Sequence, residues 1–377
     1  MKHVLLLVLM PLLLVATAAG AEWVALDKSA APGAEATVRL VSSHVGATVV
    51  ELTVPGFWAE KTAHGWRLTL PGGIPSQLEG RPELPYLPCT VALPAAGTPT
   101  FRVLSADYTL PRNLMVRMAP RPALEGETTL PPKPAAPGTA FPPAAGVVAH
   151  QGLWRELPLA SLRLHPFQAR GNGALTGVAR TLRLEIRHPN PPAQWPRVEV
   201  PVEFMDLAEN IAVNASAVPV VPPRQQQGGI EATNYDYLII TRTHLKSGLD
   251  TLVDWREKMG YKVRVLSYSF MPASTSVKNL IQNYHINHGP LKYVVIAGDY
   301  ADIPYHVWWG VNSDSWYGCL TGGSNPDFYP DVGISRLPGN TTSELANACY
   351  KIYRYERYAS GSWLTRAMLV AHKEGAP

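Results

Sequence analysis

Two kinds of hydrophobic pattern divide this chain. Up to about residue 205, short stretches alternate apolar and polar positions: 36–40, 48–54, 66–70, 90–93, 100–104 and 181–187. In the last of these, Leu182, Leu184 and Ile186 fall on one face, and Thr181, Arg183, Glu185 and Arg187 on the other. A period of two with one dry face predicts antiparallel strands packed as a sandwich.

From residue 235 the pattern changes. The spacing predicts a strand over 235–241, a helix over 247–259, a strand over 261–266, a helix over 274–287 and a strand over 291–297. A strand over 332–337, a helix over 342–358 and a strand over 367–371 follow. Gly260 reads as the stop of the first helix, and His288-Gly289-Pro290 as the stop of the second. Residues 291–297 are almost wholly apolar, as strands buried on both faces are. Alternating strand and helix at these lengths predicts right-handed βαβ units and a mostly parallel sheet.

Composition sharpens the division. Only seven of the 36 prolines lie after residue 228. Proline lacks the N–H that a central ladder needs, so it collects in turns and edges of the β-rich half. Residues 118–146, rich in Pro and Ala, read as a long extended loop. Residues 218–234, with Pro222-Pro223-Arg224 and a run of glutamines, read as a linker. Arg224 there reads equally as a basic site suited to proteolytic processing or as an ordinary solvated arginine. At the amino end, Lys2 and His3 precede an apolar run over 4–15, and Ala19-Gly20-Ala21 follows. That is the layout of a secretory signal over 1–21, cleaved after Ala21, with Gly20 the alternative. The run is short for a membrane span, and no later segment qualifies.

The net charge is +4 with no long basic run, which argues against a nucleic-acid partner. Cys89, Cys319 and Cys349 are too few and too widely spaced for a cysteine-rich zinc site. Cys349 falls within a helical pattern and reads as a small buried apolar residue. His285 and His288 read as exposed, and His244, His306 and His372 as isolated structural residues. No phosphate-binding loop is present, because Gly322-Gly323 is not followed by Lys-Ser/Thr.

In a parallel sheet, functional groups gather where strands end. Asp299 directly follows the third strand, and Asp327 and Asp331 flank Tyr329 at alternate positions before the next one. With carbonyl oxygens near Thr321 and Tyr329, such hard donors suit calcium; each Asp could equally cap a helix or shape a turn.

Residues 252–260 (Leu-Val-Asp-Trp-Arg-Glu-Lys-Met-Gly) resemble the first helix of the gingipain-like cysteine peptidases, peptidase family C25. So do 293–304 (Tyr-Val-Val-Ile-Ala-Gly-Asp-Tyr-Ala-Asp-Ile-Pro), Ser313-Asp314 with Tyr317-Gly318, 327–338, Tyr355-Glu356-Arg357 and the closing Glu374-Gly375-Ala376-Pro377. Glu83-Leu84-Pro85-Tyr86 and Val91-Ala92-Leu93-Pro94 are similar to that family's propeptide. The resemblance implies a multidomain chain: signal peptide 1–21, all-β sandwich-like prodomain 22–217, linker 218–234, and the first subdomain of an α/β caspase-like parallel sheet over 235–377. It implies the precursor of a secreted cysteine endopeptidase acting on protein or peptide substrates, with the prodomain packed on the catalytic domain. The family's Cys and His lie downstream of the last matching segment, so the chain is expected to be an inactive fragment with no catalytic residue of its own. Asp299, Thr321, Asp327, Tyr329 and Asp331 match a structural calcium site of the family, with Asp331 where Glu is usual. A non-catalytic extracellular binding or surface module is the alternative.

Overall fold

The computed structural model describes residues 20–120, 138–222, 234–289, 291–308, 310–321 and 328–366. Three antiparallel sheets make up the amino-terminal unit. One joins β1 (Ala21–Ala25), β4 (Gly56–Thr62) and β5 (Gly65–Thr69). The largest is built from β2 (Thr37–His44), β3 (Ala47–Thr53), β8 (Thr100–Thr109), β9 (Ala140–Phe141), β12 (Phe167–Arg170) and β13 (Leu175–Arg187). The third orders β10 (Gly146–Trp154), β11 (Leu157–Leu164), β7 (Pro85–Ala92) and β6 (Ile74–Pro75).

Strand β13 is central because residues 181–187 pair with β3 on one side and β8 on the other. Its alternation works as the sequence implies. Leu182, Leu184 and Ile186 are fully buried, and they share a core with Leu52, Phe57, Leu68, Leu87, Leu162 and Phe167 from all three sheets. On the opposite face, Glu51 receives both Arg39 and Arg183 across the ladder, a wet pairing of modest value.

The linker assignment shifts. Val220–Val221 (β15) pairs in parallel with Val198–Glu199 (β14), so the β unit runs on to residue 221. The helix α1 (Met205–Asn210) and the turn after it are fastened by Asn214. Its Oδ1 accepts from the Ala92 N–H at 2.8 Å, and its Nδ2 donates to Thr48 Oγ1 at 3.0 Å. Residues 121–137, within the Pro/Ala-rich loop, lie outside the described residues, as do the signal segment 1–19, Arg224 and the final strand expected over 367–371.

The second unit is a four-stranded parallel sheet in the order β17 (Val263–Tyr268), β16 (Tyr237–Arg242), β18 (Tyr293–Ala297) and β21 (Gly333–Leu337). Its central strands, β16 and β18, bury both faces. Leu238, Ile240, Val294 and Ile296 pack under Val277 and Ile281 of α3 (Ser274–Asn287) and under Trp316 and Tyr317. Tyr237, Ile239, Val295 and Ala297 pack under Leu252 of α2 (Asp250–Lys258), and under Leu345 and Cys349 of α4 (Thr342–Tyr358). The sequence places one helix over 247–259, whereas residues 243–249 form a tighter 3-10 segment before α2 begins. Gly248 allows this segment to touch α4: a Cβ there would stand 2.6 Å from the Thr342 carbonyl oxygen. A short hairpin of β19 (His306–Trp308) and β20 (Val311–Ser313), which the pattern does not announce, leads from β18 toward β21.

His165, between β11 and β12, is buried with its Nδ1 lacking a partner. Burial, with help from Arg163, pushes its pKa down to about 4. The unfolded chain titrates near 6.5, so between these values it binds a proton that the folded chain refuses. Stability is therefore complete above about pH 6.5 and falls as pH drops toward 4, by about 3 kcal/mol in all. Urea unfolding at pH 7 and pH 4.5 is expected to show at least this loss, and His165→Gln to reduce it. An equal slope in the variant would assign the loss to other groups.

Candidate functional site

The central strands β16 and β18 are covered on both faces, so their polar chemistry falls at the two edges where strands begin and end. At the carboxyl edge, Gly298 turns the chain out of β18 with φ of 130°, and Asp299 follows. The Asp299 carboxylate accepts from the Tyr300 N–H at 2.7 Å. Arg336, on the adjoining β21, organises this edge. Its guanidinium donates to both Asp314 oxygens at 2.6 and 2.7 Å, to Gly298 O at 3.0 Å and to Ile303 O at 2.9 Å. One planar fork thus ties the loop after β18 to the turn that carries Asp314. Beside it, buried Asp302 faces Arg242 at 3.9 Å and His244 at 3.5 Å. His244, isolated in sequence, therefore gains a carboxylate partner through the fold.

The amino edge is where the β unit docks. The register Trp154↔Leu157 leaves a two-residue turn between β10 and β11, and Arg155 in it takes φ of 55°, a conformation that glycine favours. Its guanidinium lies 4.8 Å above the Phe204 ring and faces Asp331 and Glu203. Further contacts cross between the units. Tyr329 Oη is 2.7 Å from Ser161 Oγ, the Phe328 N–H donates to His150 Nε2 at 3.2 Å, and Lys292 pairs with Glu203 at 2.7 Å. Between them lies a pocket of about 380 Å³, lined by Arg155, Glu156, Glu199 and Pro201 of the β unit and by His285, Thr321 and Asp331 of the other.

Asp331 is buried, and its carboxylate accepts from the N–H groups of Leu320 and Thr321 at 2.5 and 2.9 Å, and from the Thr321 hydroxyl at 3.3 Å. The strand register Tyr293↔Gly333 and Ala297↔Leu337 sets Asp331, before β21, and Asp299, after β18, at opposite edges of the sheet. Thr321 and Asp331 are thus brought together, Tyr329 turns to the β unit, Asp299 stands apart, and Asp327 lies outside the described residues. Among the described residues no group of three or more His, Cys, Asp or Glu side chains could hold a metal ion. A carboxylate cradled by N–H donors is itself the bound anion, so these described residues do not fit a calcium shell as a set.

All three cysteines are buried. Burial pushes the Cys89 thiol up to about 12 and the Cys349 thiol up to about 11, the reverse of what a nucleophile needs. Cys319 donates toward Ser315 O at 3.5 Å. His288 stacks on Tyr284. His285 departs from its expected exposure: its Nδ1 is buried without a partner, because the β unit closes over it. No local sequence signal could have found it, since Arg155 and Glu199 come from a distant part of the chain.

Residues 230–376 match the family model "Peptidase family C25". Gingipain R2 of Porphyromonas gingivalis is 26% identical over 181 residues, which cover 46% of this chain and 23% of that protein. Gingipain R1 of the same organism matches at 26% over 46% of this chain and 17% of its own length. The chain thus spans about a quarter or less of these relatives. Among solved structures, a complex of P. gingivalis RgpB pro- and mature domains aligns at 18% identity over 48% of this chain and 98% of that one, with a TM-score of 0.39. The crystal structure of the Arg-specific cysteine proteinase gingipain R aligns at 22% identity over 37% of this chain and 31% of that one, with a TM-score of 0.30. The parallel α/β region is thus similar to peptidase family C25 and to the gingipains.

Two outcomes follow from this geometry. Arg336→Lys keeps the charge but loses the fork, and is expected to cost about 2 kcal/mol in urea unfolding followed by circular dichroism. A loss below about 0.5 kcal/mol would mean that the carboxyl-edge loops hold themselves. Thermal unfolding in excess chelator and in millimolar calcium is expected to coincide within about 1 °C. A rise of several degrees with calcium would show that residues around Asp327 complete a site.

Proposed function

We propose that this chain belongs to the precursor of a secreted cysteine endopeptidase, with the β unit as its prodomain and the parallel unit as the first subdomain of a caspase-like catalytic domain. The observation that carries the reading is the docking of the β unit on the stretch that matches the peptidase family. Polar bonds that cross include Ser161 to Tyr329, His150 to the Phe328 N–H, the Thr321 hydroxyl to Leu153 O and Glu203 to Lys292. Contacts of this kind suit a cover that is held and later removed. Among the described residues, the contacts named above lie at the amino edge, opposite the carboxyl-edge loops that Arg336 organises.

In this reading neither Cys89 nor Cys349 is the nucleophile, since burial raises both thiols, and the thiolate and its proton-handling histidine are supplied by other sequence. The chain's own contribution is to position: Arg336 fixes the carboxyl-edge loops, and the β unit covers the opposite edge. The signal-like segment 1–21 would direct export, and Arg224 would offer a processing site.

The test compares two purified proteins. The 377-residue chain alone is expected to hydrolyse no peptide. The product of any longer reading frame is expected to gain peptidase activity, sensitive to thiol alkylation, once the β unit has been cut away. Turnover by the short chain would put the nucleophile among Cys89, Cys319 and Cys349. An inactive long product would favour an extracellular binding module instead.

A further inference from the structure

Strand β8 lies at an edge of the largest sheet. Among the described residues it pairs with β13 alone, so its outer row of N–H and C=O groups meets no strand there. Val103 and Leu104, in its middle, are 49% and 41% exposed. The register with β13 defines its two faces. Phe101, Val103 and Ala106 stand opposite Ile186, Leu184 and Leu182, all fully buried, and Phe101 and Tyr108 pack against that same core. Arg102, Ser105 and Asp107 stand opposite Glu185, Arg183 and Thr181, on the wet face.

Taken from its two ends, this strand is its own chemical complement. Thr100 answers Thr109, Phe101 answers Tyr108, Arg102 answers Asp107, Val103 answers Ala106, and Leu104 answers Ser105. A regular strand could not use that order. Positions an odd number of residues apart lie on opposite faces, so Arg102 and Asp107 would point apart. A β-bulge removes the difficulty. Val103 and Ser105 stand opposite successive residues of β13, Leu184 and Arg183, and Leu104 is the extra residue between them. Beyond it the alternation restarts in the opposite phase. Arg102 and Asp107 therefore share the wet face, and Phe101, Val103, Ala106 and Tyr108 share the core side.

We propose that β8 is a self-association edge, where a second copy of this chain pairs its own β8 antiparallel about a twofold axis through the Leu104–Ser105 step. With that axis perpendicular to the sheet, every residue lies opposite its complement on the same face. Arg102 of each copy meets Asp107 of the other. Arg102 already donates to Glu185 at 2.9 Å, and Asp107 accepts from Arg180 at 2.6 Å. Pairing joins these into a row of alternating charge: Glu185 and Arg102 of one copy, then Asp107 and Arg180 of the second. On the core side Phe101 meets Tyr108 and Val103 meets Ala106, which covers the apolar side chains left open at the sheet edge. The largest sheet then runs unbroken through both copies. No residue of the parallel α/β unit takes part, so the pairing does not depend on the peptidase reading.

The test is sedimentation equilibrium of the intact 377-residue chain, with amide hydrogen exchange to locate the contact. One strand from each copy makes a small interface, so a dimer with a dissociation constant on the order of 10 µM is expected. Exchange in residues 100–109 is expected to slow as concentration rises through that value, while β2, at the opposite edge of the sheet, stays unchanged. Arg102→Asp sets two like-charge pairs across the axis and is expected to weaken the dimer about tenfold or more. Adding Asp107→Arg restores the complement, and is expected to bring the constant back to within about threefold of the wild type. A merely damaged strand would not recover in this way. If either variant fails to fold, Leu104→Lys serves: two ammonium groups then meet at the axis, and no dimer is expected. A wild-type chain that stays monomeric at about 200 µM overturns the proposal. So does a dimer that Arg102→Asp and Leu104→Lys leave intact, or one whose β8 amides exchange at the rate of the monomer. Slow β8 exchange at every concentration would mean that another segment of the same chain covers this edge, and the proposal would fall.

Discussion

Parallel strands covered on both faces can present polar groups only where they begin and end, and the centre of the second unit is arranged around that constraint. Alternate residues of β16 and β18 are committed to the α3 face or to the α2 and α4 face, with no position left for an exposed side chain. Charge therefore collects where strands begin and end. Asp331, Lys292 and Asp236 mark the beginnings; Arg242, Asp299 and Arg336 mark the ends. The two sets sit at opposite edges, and they serve different purposes: the first receives the β unit, and the second orders loops.

The β unit meets that amino edge through its third sheet. The β10–β11 hairpin ends in a turn that puts Arg155 where a glycine would be easier, and the cost is offset by the Phe204 face and the nearby carboxylates. Asn214, Thr48 and His188 hold the tail of the unit against its own core, so Glu203 and Phe204 reach the parallel sheet from a fixed base. Docking and internal packing are continuous here, which allows polar bonds to place one unit on the other.

Much of the fold was legible because burial imposes simple periods. The helices over 274–287 and 342–358 appear with those bounds, and the alternation in 181–187 gives the faces of β13 correctly. Other elements were silent for physical reasons. The 3-10 segment over 243–249 has no period distinct from a helix start, and Gly248 signals a close approach only once α4 is known to lie above it. The β19–β20 hairpin has only three residues per strand, too short to show alternation. The stretch 218–221 reads as linker by composition, yet its valines pair with β14.

The same division runs through the site. The sequence by itself determined the two-part organisation, the both-faces-buried strands, the buried role of Cys349 and the resemblance to peptidase family C25, because all of these are written in local spacing and residue type. Tertiary structure alone decided the partners of charges. It separated Asp299 from Asp331, gave Asp314 to Arg336, and turned His285 from an exposed helix-end residue into a half-buried neighbour of Arg155. A hydrophobic residue announces its burial through period, since water drives it inward wherever it sits. A charged residue's role is set by which distant group the fold delivers to it, and spacing along the chain carries no record of that.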